Sequence, residues 1–370
     1  MDILDFMCYT FIVVVFIQVV YYLYLFRRFA FIKPEQTTSK KVPVSVIICA
    51  KNEAENLQLF LHSIISQNYP EFEMVLINDS SADETLQVME RFAKGHSNIK
   101  IVDVKNTEAF WANKKYALTL GIKASKHEHL LFTDADCKPV SEYWIKEMCS
   151  HFNEKQSIVL GYGKHTKIKK SFFNKLVRFE TLMTAIQYFS YAKIGLPYMG
   201  VGRNLAYTKK EFFNVNGFVN HIKINSGDDD LFINQIANSK NVSICFSKES
   251  FTESVPKSTF KSWIKQKRRH ISTAKYYKLK HKILLSLFYF SNLSFWILAI
   301  FLFISTHNWP FVILLFLLRL IVQFVIVDAS SKKLNETDLL IWLPILEISL
   351  IILQLTIFIN NLISKPNFWK

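Results

Sequence analysis

A 370-residue chain that is half hydrophobic, with 33 Phe and 15 Tyr, and still carries a net charge of +15 does not belong with ordinary soluble proteins. Nucleic-acid binding would explain the charge but not the apolar content. The balance points instead to a membrane protein whose aqueous part faces anionic lipid or anionic ligands.

Residues 6–26 carry no charge and are long enough to span a hydrocarbon core. Without a basic leader or a small-x-small site, the segment is expected to be an anchor (residues 1–33) rather than a cleaved signal. Arg27, Arg28 and Lys33 follow it and predict emergence on the cytoplasmic side. A polar, proline-containing linker, 32–43, leads into an expected cytoplasmic domain over 34–282. The five cysteines form no CxxC and no zinc spacing, which reads as a reduced compartment with the thiols as small apolar fillers.

The domain opens as alternating strand and helix. Residues 44–49 (VSVIIC) form a short apolar run expected of a strand buried on both faces, and 54–67 space their apolar residues along one helical face. A strand at 73–77 ends in NDSS, and a helix follows with Ser80 or Ser81 as its cap and Asp83 and Glu84 in its first turn. Further strands are expected at 99–104 and 130–133, with a helix at 114–125 between them. This alternation predicts an α/β fold with a mostly parallel sheet and helices on both faces.

Such a sheet binds ligands outside the carboxyl ends of its strands. Lys51-Asn52-Glu53, Asp79, and Asp134 with Asp136 all fall there. A lone Asp at a strand end is more often a turn former, but acids at successive strand ends are harder to dismiss. Two carboxylates one residue apart in FTDADC repel each other unless a cation or a proton intervenes. Mg²⁺ or Mn²⁺ bridging a diphosphate would meet that need. An aspartyl-phosphate phosphatase would want a Thr or Val at position 138, which is Lys138. No GxxxxGK[ST] is present, and Gly161-Tyr162-Gly163 and Gly200-Val201-Gly202 each lack the third glycine of a dinucleotide fingerprint.

Downstream, INSGDDDLFINQ places Asp228, Asp229 and Asp230 ahead of an amphipathic run. A helix N-terminus rewards one or two acids, but three in a row repel, so one is expected to be poised as a base. Residues 255–282 contain ten Lys or Arg and no acid, as expected of a basic helix on lipid headgroups. There Gln266, Arg269 and His270 share a face, and a guanidinium so placed could clamp phosphate. Residues 172–191 are too charged to span, and read either as a core helix or as an interfacial helix guiding a lipid.

Three more apolar segments, 283–306, 309–327 (with Arg319) and 339–364 (with Pro344 and Glu347), make up the third region, 283–370. Three further crossings would leave Lys365 and Lys370 on the side the positive-inside rule disfavours. The last segment, with its Pro and Glu, is the candidate to lie flat or re-enter.

The order of these motifs resembles the family 2 glycosyltransferases, membrane enzymes of GT-A fold. VSVIICAKNEAENL is similar to their opening strand and Asn-Glu turn, and LINDSSADET to the strand whose Asp holds the nucleotide base. ANKKYAL is similar to their Gly-Lys-x-x-Ala-Leu segment, with Asn113 at the glycine. FTDADC resembles the metal-binding DxD, and VGRNLAYTKKEFFNVNGF the stretch before the catalytic acid. The resemblance implies an inverting, metal-dependent hexosyltransferase using a nucleotide-diphosphate sugar, UDP-linked by expectation, with a GT-A domain flanked by one N-terminal and about three C-terminal transmembrane or re-entrant helices. It implies Lys51, Asn52, Glu53, Asp79, Lys114, Asp134 and Arg269 at the donor, and Asp136 with Asp134 at Mg²⁺ or Mn²⁺. The base is Asp229 when the motif is anchored on Gly227 and Asp228 when anchored on Leu231; Asp229 is preferred. Gln266, Arg269 and His270 stand where polymerising members have QxxRW, and the histidine speaks against processive synthesis. The pattern is closer to smaller members that glycosylate a membrane lipid or lipid-linked acceptor, at the inner (cytoplasmic) membrane and against its anionic phospholipid, with no nucleic-acid partner. The final Trp369-Lys370 matches a family ending that lies in the cytoplasm. The alternatives are a short-chain polysaccharide synthase and, outside catalysis, a membrane-anchored nucleotide-sugar sensor or partner.

Overall fold

The computed structural model describes residues 2–33, 41–105, 114–224, 226–305 and 308–364. The linker at 34–40, Asn113 and the Trp369-Lys370 ending lie outside them. A helical stretch begins the chain: α1 (Ile3–Val20), a π-helical turn at Tyr21–Phe26, and α2 (Arg27–Ala30). The expected alternation follows as β1 (Val44–Ala50), α3 (Ala54–Ile65), β2 (Phe72–Asp79), α4 (Thr85–Gly95), β3 (Ile99–Val104), α5 (Lys114–Ala124) and β4 (His129–Phe132). Then come β5 (Cys137–Pro139), α6 (Trp144–Cys149), β6 (Ile158–Leu160), β7 (Gly163–His165), α7 (Phe172–Lys193), β8 (Leu205–Thr208), α8 (Lys209–Asn214), α9 (Asp230–Ile236), β9 (Val242–Ile244), β10 (Thr252–Ser254) and α10 (Phe260–Ile271). The chain ends in α11 (Leu279–Ile304), α12 (Trp309–Leu334) and α13 (Leu343–Ile363).

The main sheet has the order β3-β2-β1-β4-β8-β6-β9. Its first four strands are parallel, and β8 runs antiparallel to both neighbours. A small sheet, β5-β10-β7, stands beside it. The two-residue period of β1 and β2 divides the core in two. Val46, Ile48, Met74 and Leu76 pack under α3, α4 and α6, while Ile47, Val75 and Ile77 face α5. That second core continues through α7 to Phe26, Phe29 and Phe288 without a break. Each large apolar side chain buried there contributes about 1.5–3 kcal/mol, so the α/β domain and the apolar helices share one hydrophobic interior.

Two expectations change, and of two open alternatives one is found. The helix after β2 starts at Thr85, not at a Ser80 or Ser81 cap: Ser80 is left-handed and its Oγ donates to the Val104 carbonyl, and Asp83 instead accepts from the Thr85 N–H. The basic stretch 255–282 is not one helix, because a 3₁₀ turn at Ala274–Tyr276 separates α10 from α11. The helix expected at 172–191 is mainly core, with Phe172 at its mouth still 42% exposed. Among the described residues, four helical stretches, Ile3–Ala30, Leu279–Ile304, Trp309–Leu334 and Thr337–Ile363, are long and apolar enough to cross a membrane. All five cysteines are free thiols.

Candidate active site

The first two strand ends are laced together. Asn52 and Ser80 both take left-handed backbone, with φ of 57° and 52°. The Asn52 N–H donates to Ser81 Oγ at 3.0 Å, Ala82 N–H to Asn52 Oδ1 at 2.8 Å, and Glu53 N–H to Thr85 Oγ1 at 2.9 Å. Asn52 is thereby occupied in holding the turn, while Lys51 and Glu53 line the cavity beside it. Asp79, at the end of β2, is 2% exposed, and its Oδ2 is buried without a hydrogen-bond partner among the described residues. Burial pushes its carboxyl above the usual range, and the Lys51 and Lys114 ammonium groups offset part of that rise. An orphaned buried carboxylate oxygen is a place where a ligand N–H is wanted.

Beyond β4, ligand atoms of Asp134, Asp136 and Cys137 all lie within 4.8 Å of one another. Lys114, at the first turn of α5, sets its Nζ 2.9 Å from Asp134 Oδ1 and 3.0 Å from Asp228 Oδ2. The cation that the paired acids call for is thus partly supplied by the protein. Asp136 keeps a raised pKa from burial and from the Asp134 charge, against the pull of Arg203 and Lys257. Burial pushes the Cys137 thiol well above its ordinary pKa, and a soft sulfur is a poor match for a hard cation. What remains is a hard, carboxylate donor set, which fits Mg²⁺ or Mn²⁺.

The three aspartates after Gly227, whose φ of +93° turns the chain into them, have three different surroundings. Burial would raise Asp228, but the Lys114 ammonium wins and holds it below the carboxylate range. Asp229 caps α9: its Oδ1 accepts from Asp230 N–H and its Oδ2 from Gly202 N–H, both at 2.7 Å. Burial, with the charges of Asp228 and Asp230, pushes Asp229 up to about 7. Asp230 is tied into the scaffold, its Oδ2 accepting from Tyr277 Oη at 2.7 Å and from Thr273 Oγ1.

Two contributors escaped the sequence reading. Lys115, 1% exposed, donates from Nζ to the carbonyls of His221, Ile224 and Ser226 at 2.8–2.9 Å, clasping the segment that delivers Asp228 and Asp229. Nothing in its sequence neighbourhood separates it from Lys114. Arg203 also lines the cavity, with Nη1 2.9 Å from Ser254 Oγ; its place directly after Gly202 in VGRN was the available signal.

The α10 helix roofs the site. Thr259 caps it, accepting from Ser262 N–H at 3.2 Å, and Lys267 pairs with Glu180 of α7 at 2.5 Å. Gln266, Arg269 and His270 all line the cavity, as their shared face predicts. Burial lowers the Arg269 pKa, with the charges of Asp228, Asp134 and Asp229 working against that. The cavity, about 920 Å³, runs from Lys51 and Asp136 past Asp229 and His270 to Phe288, Tyr289, Leu350 and Phe358 on α11 and α13. It joins a set of phosphate- and metal-suited groups to a poised carboxylate and then to apolar helices.

Residues 45–216 match the sequence model of the family described as Glycosyl transferase family 2, and residues 134–356 that of Glycosyl transferase family group 2. A poly-beta-1,6-N-acetyl-D-glucosamine synthase of Staphylococcus epidermidis is 33% identical over 121 residues, 32% of this chain and 28% of that protein. The cholesterol galactosyltransferase of Borreliella burgdorferi is 33% identical over 96 residues, 26% of this chain and 25% of that one. A 4,4'-diaponeurosporenoate glycosyltransferase of Staphylococcus aureus is 25% identical over 162 residues, 44% of this chain and 42% of its own length. The matched stretches therefore span less than half of each of these relatives. In fold, the chain is similar to the mannosyltransferase PcManGT from Pyrobaculum calidifontis, solved with GDP-Man and Mn²⁺, at a TM-score of 0.60 and 17% identity over 92% of this chain and 97% of that one.

Proposed function

The chain belongs to the family 2 glycosyltransferases, and we propose that it moves a sugar from a nucleotide-diphosphate sugar to a hydroxyl of a membrane lipid or lipid-linked acceptor, with inversion. The observation that carries this reading is the single cavity from the paired acids through Asp229 to the apolar faces of α11 and α13. A soluble acceptor would have no use for its apolar end.

Asp229, poised near neutrality, takes the proton from the acceptor hydroxyl as its oxygen attacks the anomeric carbon, and the nucleoside diphosphate leaves from the opposite face. One base and one displacement give inversion. Asp136 and Asp134 would hold Mg²⁺ or Mn²⁺, which when bound neutralises charge on the diphosphate. Arg269 steadies that diphosphate as a guanidinium can, and Lys114 fixes Asp134 and Asp228 in relation to each other. The orphaned Asp79 oxygen accepts from the base of the nucleotide, beside the Lys51–Glu53 turn. Gln266 and His270 roof the acceptor. The exposed cations Lys261, Lys265 and Lys275 rest on anionic phospholipid, with the α/β domain on the cytoplasmic side.

A polysaccharide synthase is the second reading, favoured by the resemblance to the S. epidermidis synthase. Nucleotide release from a panel of UDP- and GDP-sugars, with Mn²⁺ or Mg²⁺ and extracted membrane lipid, tests both. Metal-dependent release by the wild type but not by Asp136→Asn, with one sugar added per lipid, is the expected outcome. A ladder of products selects the synthase, and bound nucleotide without release from any donor rejects catalysis.

A further inference from the structure

We infer that the apolar segment Thr337–Ile363 does not cross the bilayer but enters and leaves it on the side of the α/β domain, where its outer face is an interaction surface for the lipid chains of that leaflet. By length and hydropathy the segment is as able to span as the other three. Length does not decide, since a helix of this size also fits tilted or along an interface.

The contacts at its two ends do decide. At the start, Arg178 of α7 donates from Nε to Glu336 Oε2 at 2.9 Å and from Nη1 to Asp338 Oδ2 at 2.8 Å. Lys167 Nζ lies 2.8 Å from Asp338 Oδ1, and the Trp342 ring packs edge-on against Phe172. At the finish, Arg268 of α10 donates from Nε to Asn361 Oδ1 at 2.9 Å, and from Nη2 to the carbonyls of Asn360 and Ser364 at 3.0 and 2.7 Å. Asn361 Nδ2 returns a bond to the Arg268 carbonyl at 3.1 Å. One guanidinium thus binds the last turn of α13 and its cap residue Ser364 together, through one side-chain and two backbone acceptors. Both anchoring helices belong to the α/β domain: Tyr188 of α7 donates to the Gly161 carbonyl beside β6 at 2.7 Å, and α10 is paired to α7 through Lys267 and Glu180. Between these two attachments the segment is drawn inward, Glu347 meeting Arg319 and Tyr289 Oη donating to the Ile351 carbonyl at 3.3 Å.

The outward face carries Ile341, Ile345, Ile352, Ile359 and Ile363, all exposed and at helical spacing. It continues the exposed apolar surface of α11 and α12, where Ile297, Phe301, Leu314 and Leu318 lie, so its occupant is acyl chain. Charge agrees. Arg27, Arg28 and Lys33 after α1, Lys278 and Lys280 at the start of α11, and Lys332 and Lys333 ending α12 crowd the domain side, whereas 305–308 carries no Lys, Arg, Asp or Glu. With three crossings, Lys365 and Lys370 join that cationic side; with four they would stand alone on the other.

Sided labelling of the full-length protein in membrane vesicles with a membrane-impermeant maleimide tests this, read against the wild type for its native cysteines. Ser364→Cys is expected to label from the same side as Lys94→Cys on α4 and from the side opposite Ser305→Cys. Labelling of Ser364→Cys together with Ser305→Cys overturns the inference. A reporter fused after Lys370 gives a second reading: GFP fluorescence is expected, and periplasmic alkaline phosphatase activity would sink it. Neither readout depends on what the protein catalyses.

Discussion

The cavity touches two groups of buried charge, and they are built on opposite terms. Among the apolar helices, Arg319 is fully buried and nearly closed on itself: its Nη2 is 2.6 Å from Glu347 Oε1, 2.7 Å from Asn292 Oδ1 and 3.1 Å from Gln18 Oε1, and its guanidinium stacks 4.6 Å from the Phe295 ring. Arg319 Nη1 adds a bond to Glu347 Oε2 at 2.8 Å, and Gln323 and Trp296 also donate to Glu347. At the strand ends the acids outnumber their partners. Lys114 satisfies Asp134 and Asp228, while Asp79, Asp136 and Asp229 are left with raised pKa values. Charge that finds its own partners is scaffold, and charge left short is where a ligand completes the set.

Four experiments test that contrast. Asp229→Asn should break the strand-end group alone, lowering transfer by about 10³-fold, within the range of general-base catalysis. Donor binding should stay as in the wild type, with a small fall in unfolding temperature because an amide accepts from only one of the Asp230 and Gly202 N–H groups; retained turnover would remove Asp229 as the base. Arg319→Met should break the helix group alone. Leaving Glu347 buried and unpaired costs about 3–5 kcal/mol, seen as a lower unfolding temperature in detergent, with turnover per folded molecule little changed. If Arg319→Met were instead inactive but stable, the helix cluster would be part of the site.

The pH profile separates the groups more finely. A base works deprotonated, so the rate should rise with pH and level off above about 7, where Asp229 has lost its proton. Between pH 8 and pH 6 the fall should be about tenfold, and a flat profile over that range would assign the proton transfer elsewhere. The smallest effect is expected of Lys115→Met, about tenfold or less in turnover by loss of one clasp. Removing that cation should also move the pH midpoint upward, a change that a merely loosened fold would not produce.

The strand–helix alternation was legible because each element announces itself within a few residues: VSVIIC as a doubly buried strand, Ala54–Ile65 as a one-faced helix. The candidate acids were legible for the same reason, since each ends a strand or opens a helix. The Ser80 cap failed because the turn's bonds go across to Asn52 and Val104 rather than along the chain. Lys115 was invisible because its acceptors are backbone carbonyls, which leave no mark in a sequence.

By itself the sequence determined the fold, the apolar helices and the set of carboxylates, because periodicity and turn chemistry act over short range. Which aspartate keeps a raised pKa depends on α5 bringing Lys114 between Asp134 and Asp228, taking one acid of the triplet and leaving its neighbour to burial. The proposed return of the last apolar segment likewise rests on Arg178 and Arg268, far from it in the chain. Hydropathy measures how readily a segment leaves water. It carries no information on which partners wait at its ends, and those come from the tertiary structure.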